Sequence, residues 1–262
     1  MIKPEYDDNW PDDVKALYKH DMEEFWDKTL VPNKWNQYKN LLDTYLRMAE
    51  PDKSLDILDV GCAQATLALL LAEQGHNVLA IDLRQESLDY AKSRYQSGNI
   101  RFLQHNVLEV ELTEKFDLIY ANQLIEHLVY PSTMIDRLKS MLKPGGKLVI
   151  ATPNHSYLIS GHPSFTELGD PKQWEHMQFS ADGDGHFFAY KEQELVALFS
   201  RSGLNNITSQ VLETPFLSGH LKVRYLHRFL PYAVLNFFDR LLLSTPFLRR
   251  YVSHQLIVSG IR

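Results

Sequence analysis

At 262 residues with 44% apolar content, the chain can bury one sizeable core. Its one cysteine, Cys62, excludes a disulfide framework, and a net charge of −6 argues against a general nucleic-acid binder. No uncharged apolar run reaches the roughly 18–20 residues that cross a bilayer, and the polar N-terminus lacks a signal-peptide core, so a cytoplasmic protein is expected.

Residues 1–50 carry helical patterns rich in aromatics, and Leu41, Leu42, Tyr45, Leu46 and Met48 fit one helix face. They are expected to form a helical cover, with most of the aromatics packing those helices onto a sheet. From Leu55 the chain alternates regularly. The apolar periodicity predicts strands over 55–60, 77–82, 100–104, 116–121 and 146–152, and helices over 64–74, 85–96, 131–142 and 191–201. Such alternation implies an α/β fold, a mainly parallel sheet with helices on both faces, and ligands bind outside the carboxyl ends of its strands. Gly61, Asp82, Asn106 and Asn122 all fall at that edge.

The stretch Leu55-Asp-Ile-Leu-Asp-Val-Gly-Cys-Ala-Gln-Ala65 reads as a buried strand, a turn of small residues and the start of a helix. Small side chains there let a ligand approach the backbone. Asp82 closes the next strand, where a carboxylate can take ribose hydroxyls. Residues 153–190, rich in Pro, Gly, His and Asp, follow a strand's carboxyl end and are expected to form a lid over the site. Residues 204–213 and 254–261 read as strands. Between them, 214–253 holds Lys222, Arg224, Arg228, Arg240, Arg249 and Arg250 against Asp239 alone, interleaved with aromatics at helical spacing. Three readings stay open for it: a helical insertion completing the acceptor pocket with its aromatics as core (the leading one), a peripheral membrane element, or a dimer contact.

Taken in order, Asp59-Val-Gly61, Asp82, Phe116-Asp-Leu-Ile-Tyr120 with Glu126-His127-Leu128, and Leu142-Lys-Pro-Gly-Gly146 resemble the class I S-adenosylmethionine-dependent methyltransferases. The resemblance runs from about Leu55 to Phe199, and the family usually shows Gly where this chain has Ala63 and Ala65. It implies a Rossmann-like, seven-stranded sheet whose last strand is antiparallel. The whole chain would form a single domain: an N-terminal helical cover over 1–50, a cofactor-binding core over 51–152, the acceptor lid over 153–190 and the helical insertion over 214–253. It also implies S-adenosylmethionine as cofactor, with Asp59, Gly61, Cys62, Ala63, Gln64, Asp82, Leu83, Asn106, Val107 and Asn122 as its binding residues. Asp82 would hold the ribose, and Asn106 the adenine.

The stretch Gln123-Leu-Ile-Glu126-His127, with Thr152-Pro-Asn154 and His186-Phe-Phe-Ala-Tyr190, is similar to two groups of O-methyltransferases, those of ubiquinone biosynthesis and those of small-RNA 3′ ends. That likeness implies oxygen as the acceptor atom and Glu126, His127 and His186 as catalytic residues. It also offers the same three as ligands for Mg²⁺ or another divalent cation, although Gln123 stands where those groups have Glu. A small-molecule acceptor is expected, and no nucleic acid. A binding module without turnover, transfer to nitrogen or to a lipid-linked acceptor, and a nicotinamide-dependent oxidoreductase are the alternatives.

Overall fold

The computed structural model describes residues 1–50, 52–178 and 188–262. They fall into two units, one of Met1–Val107 with Pro215–Arg240 and the other of Leu108–Thr214 with Leu241–Arg262.

The first unit opens with helix α1 (Asp12–Asp21), whose first turn carries Asp12 and Asp13 and whose last carries Lys19 and His20, a charge order that suits the helix dipole. It runs straight into a wider π-type turn, Met22–Trp26. Helix α2 (Pro32–Met48) begins with proline at its first position and buries Leu41, Leu42 and Tyr45. Strands β1 (Asp56–Val60), β2 (Asn77–Asp82) and β3 (Asn99–Gln104) pair in parallel, with Val60 opposite Ile81 and Asp82 opposite Gln104. Helices α3 (Thr66–Glu73) and α4 (Gln85–Ser93) connect them. Apolar runs make β1 and β2, which are covered on both faces, whereas β3 lies at the sheet edge and alternates exposed with half-buried residues.

In the second unit β4 (Phe116–Asn122) is followed by α5 (Pro131–Met141) and β5 (Leu142–Pro153). Strand β5 starts four residues earlier than its apolar run suggests. The segment Pro144-Gly145-Gly146 is a bulge inside the strand and not a turn before it, since Phe116 pairs with Leu142 but Leu118 with Lys147. Glycine is required there: a Cβ on Gly146 would stand 2.9 Å from the Phe116 carbonyl oxygen and 3.0 Å from that of Lys143.

After residues 153–190 come α6 (Glu192–Arg201) and β6 (Asn205–Leu212). Then α7 (Pro215–Ser218), a 3₁₀ turn over Val223–Arg228 and α8 (Tyr232–Leu243) form the insertion. The short α9 (Arg249–Val252) leads into β7 (Gln255–Ile261), which runs antiparallel to both β5 and β6. The strand order is β3-β2-β1-β4-β5-β7-β6 in a mixed, mainly parallel seven-stranded sheet.

The described part of 153–190 carries local structure of its own. It holds 3₁₀ turns at Phe165–Glu167 and Pro171–Met177, and it closes on its own base through bridges Asn154–Tyr190 and Ser164–Ala189. Phe165, Phe188 and Tyr190 pack there with ring centroids 5.0–5.4 Å apart.

The insertion's largest aromatics are not core. Leu217, His227, Leu235 and Asp239 are buried, whereas Phe229 is 81% and Phe237 63% exposed. Helical spacing identifies a stripe but does not say whether anything covers it.

Candidate functional site

The turn after β1 is drawn against β2. The amides of Gly61 and Cys62 both donate to the Ile81 carbonyl, at 2.8 and 3.0 Å. The next residues are set by Asp82, whose Oδ2 accepts from the Ala63 amide at 2.9 Å and Oδ1 from the Arg84 amide at 3.0 Å. The backbone is left-handed at Gly61, Ala63 and Ala65, with φ of +70°, +45° and +54°. Two of these three residues carry a Cβ where glycine is the low-cost choice.

Asp59, one residue before Val60 in β1, is fully enclosed. Burial pushes its carboxyl up to about 7, the nearby Asp82 charge adds to this, and a hydrogen bond from the Ala68 amide opposes it. Burial likewise drives the Cys62 thiol well above its ordinary value, so the side chain acts as a small apolar filler. At the exit of β3 the His105 amide donates to the Asp82 carbonyl at 3.0 Å, which places Asn106 beside the end of β2. Leu83 is exposed and Val107 buried. Of the expected cofactor residues these all belong to the first unit, together with Gln64; Asn122 belongs to the second.

The helical cover reaches this turn through residues that no local pattern marks. Gln64 Nε2 donates to Glu24 Oε2 at 3.4 Å, and the Gln64 carbonyl accepts from the Arg94 guanidinium. Arg94 is fully buried and ion-paired with Asp21 at 2.7 Å. Asp21 also accepts from Trp26 Nε1 at 2.9 Å and from the Tyr90 hydroxyl at 2.8 Å. The rings of Phe25, Trp26 and Tyr90 surround the guanidinium at 5.9–6.0 Å. Burial, resisted by Lys34, lifts the Glu24 carboxyl to about 7. Tyr38 is half-buried as a residue, and the Glu24 charge adds to the burial of its hydroxyl in raising it. Forty residues separate Glu24 from Gln64 in the chain, so only the fold brings them together.

In the second unit Gln123 leaves β4 with φ +50°, and its Nε2 donates to Gln255 Oε1 at 2.7 Å. Glu126 lies in a 3₁₀ turn, Ile125–His127, and is 0% exposed. It accepts from the Thr152 hydroxyl at 3.0 Å, and burial pushes its carboxyl up to about 8. The side chain expected to face an acceptor is thus an interior group, and at neutral pH it is largely protonated. His127 beside it is half-buried. Tyr190 is enclosed as well; burial and then the charge of Glu126 raise its hydroxyl well above the usual range. His186, and Asp182 and Asp184 near it, lie outside the described residues. Among the described residues no group of three His, Cys, Asp or Glu side chains could hold a metal ion. A protonated, fully enclosed Glu126 is also a poor ligand for a hard cation.

Residues 19–209, well over half of the chain, match the family model described as "Methyltransferase domain". Among curated relatives, a ubiquinone biosynthesis O-methyltransferase of Rickettsia akari is 35% identical over 104 residues, covering 39% of this chain and 41% of the relative. A malonyl-[acyl-carrier protein] O-methyltransferase of Acetivibrio thermocellus is 31% identical over 134 residues, covering 50% and 45%. The chain thus spans less than half the length of these relatives.

Solved structures agree on the fold. N-methyltransferase NodS of Bradyrhizobium japonicum, solved with S-adenosyl-L-homocysteine, superposes with TM-score 0.56 at 15% identity, covering 95% of this chain and 97% of that one. A SAM-dependent methyltransferase of Archaeoglobus fulgidus gives 0.59 at 12% identity, covering 94% and 99%. With the ordered strands, the small-residue turn and the match over 19–209 all in agreement, the chain belongs to the methyltransferase-domain family and has its class I, Rossmann-like fold.

Proposed function

We propose that this S-adenosylmethionine-dependent methyltransferase acts at a hydroxyl of a small-molecule acceptor. The observation that carries the donor half is the set at the strand ends of the first unit: Asp59, Asp82 and Asn106 beside a turn of small residues. The donor set fits that cofactor. Each Asp82 oxygen gives one lone pair to a backbone amide, at Ala63 or Arg84, and keeps another for a ribose hydroxyl. The Asn106 side-chain carbonyl can accept from an adenine amino group. Bound there, S-adenosylmethionine supplies a methyl group already activated on a sulfonium. Oxygen is favoured because the two relatives above are both named O-methyltransferases.

An oxygen acceptor must lose its proton as it is methylated. Glu126 is unsuited to take it, since it already holds a proton at neutral pH. Its part is to tie the exit of β4 to β5 through Thr152, fixing the backbone that carries His127. His127 then takes the acceptor proton on a ring nitrogen, with His186 as the other imidazole available. No step is assigned to a metal.

The test pairs calorimetric titration of S-adenosylmethionine and S-adenosylhomocysteine with transfer of a labelled methyl group to hydroxyl, amine and lipid-linked acceptors. Labelled ether or ester supports the reading; label on amines alone overturns the choice of oxygen. Binding with no transfer to any class favours the non-catalytic alternative. Replacing the base, His127→Ala or His186→Ala, should lower kcat about 10²-fold or more while leaving donor affinity within about twofold.

A further inference from the structure

We infer that the insertion in the first unit is a docking surface for an anionic lipid bilayer. It is held to the unit by a few buried anchors. Helix α7 and the 3₁₀ turn pack on α2, Asn36 and His227 hydrogen-bond at 2.9 Å in the interior, and Leu217 and Leu235 are fully buried. In α8 the inward stripe is Leu235 and Asp239, one turn apart. The opposite stripe within the first unit, Val234 and Phe237, is exposed at i, i+3 spacing. The turn before it adds Leu221, 64% exposed, and Phe229.

Exposed apolar side chains in this number need a partner, and the charges around them say which. Lys222, Arg224, Arg228 and Arg240 are interleaved with these residues, and Asp239, the only carboxylate between Pro215 and Arg240, is buried. Aromatic and aliphatic groups that dip below the headgroups, with arginines at the level of the phosphates, are what a bilayer surface selects. No described helix is long and apolar enough to cross a membrane, so the contact is with the surface. A soluble acidic protein would satisfy the arginines but would leave the most exposed phenylalanines without an apolar host.

The intact protein is sedimented with vesicles of phosphatidylcholine alone and of phosphatidylcholine with one-third phosphatidylglycerol. Binding is expected only to the anionic vesicles. It should weaken at least tenfold at about 1 M salt, where the screening length falls to about 3 Å. The double variant Phe229→Ser/Phe237→Ser should lose at least about tenfold in partitioning with an unchanged melting temperature, since both side chains are already in water. Arg224→Glu/Arg228→Glu should lose a similar factor. Equal binding to neutral vesicles, or full binding by the Phe double variant, would overturn the assignment. So would absence of vesicle binding, and a concentration-dependent dimer in ultracentrifugation would then give this face to a second copy of the chain.

Discussion

Ala63 and Ala65 hold backbone angles that cost an L-residue about 1–2 kcal/mol relative to its preferred region. Ala65 is also the residue before α3 and is almost fully buried, so the helix start and the turn share that strain. Ala65→Gly relieves it and should raise unfolding stability by about 1 kcal/mol in urea denaturation, the reverse of the usual penalty for glycine. A loss of stability instead would mean that the Cβ contacts outweigh the strain. Glu126 makes a different residue-scale prediction. Its folded carboxyl binds a proton more tightly than the unfolded one, moving from 4.5 to about 8. The stabilisation from this proton is complete below about pH 4.5 and is lost as pH rises through 8. A tenfold difference in proton affinity between the folded and unfolded chain is worth about 1.4 kcal/mol. Glu126→Gln keeps a neutral acceptor for the Thr152 hydroxyl. Melting curves should match wild type near pH 5, and the variant should become the more stable protein by pH 9. Parallel pH profiles would show that Glu126 is ionised without cost.

Between elements, one buried arginine does what several weaker contacts would otherwise do. Arg94 follows α4, yet it touches the carbonyl of Gln64 in the turn after β1 and the carboxylate of Asp21 at the end of α1. The helical cover and the turn are therefore not independent pieces. Arg94→Met leaves Asp21 without its countercharge in a closed aromatic setting and should cost about 3–5 kcal/mol. Arg94→Met/Asp21→Asn should recover much of that. A double-mutant cycle with a coupling under about 0.5 kcal/mol would show that the two residues act separately. This pairing was not legible in the sequence: the partners lie far apart in the chain, and neither residue type marks a motif. The strands were legible, because Val78–Ile81 and the run ending at Val60 are apolar with little interruption, as doubly covered strands are. The start of β5 was hidden for the opposite reason. Pro-Gly-Gly has the local chemistry of a turn, and only pairing with Phe116 makes it strand.

For the molecule as a whole, the strand-end residues could be placed from order alone, since topology puts the ends of parallel strands on one edge. What could not be placed was the role of side chains that bind within the protein. Gln123 stands where the resemblance leads one to expect Glu, but it is engaged with Gln255, which is 132 residues later. The sign of the insertion's exposure was equally hidden. That insertion also has a consequence in time. The first unit is made of Met1–Val107 and Pro215–Arg240, so the surface of α2 that receives His227 leaves the ribosome long before His227 is synthesised. At about 5–20 residues per second the interval between them is roughly ten to forty seconds. During translation the nascent first unit must keep that surface apart from other apolar segments, including the second unit's own strands, until its last piece arrives.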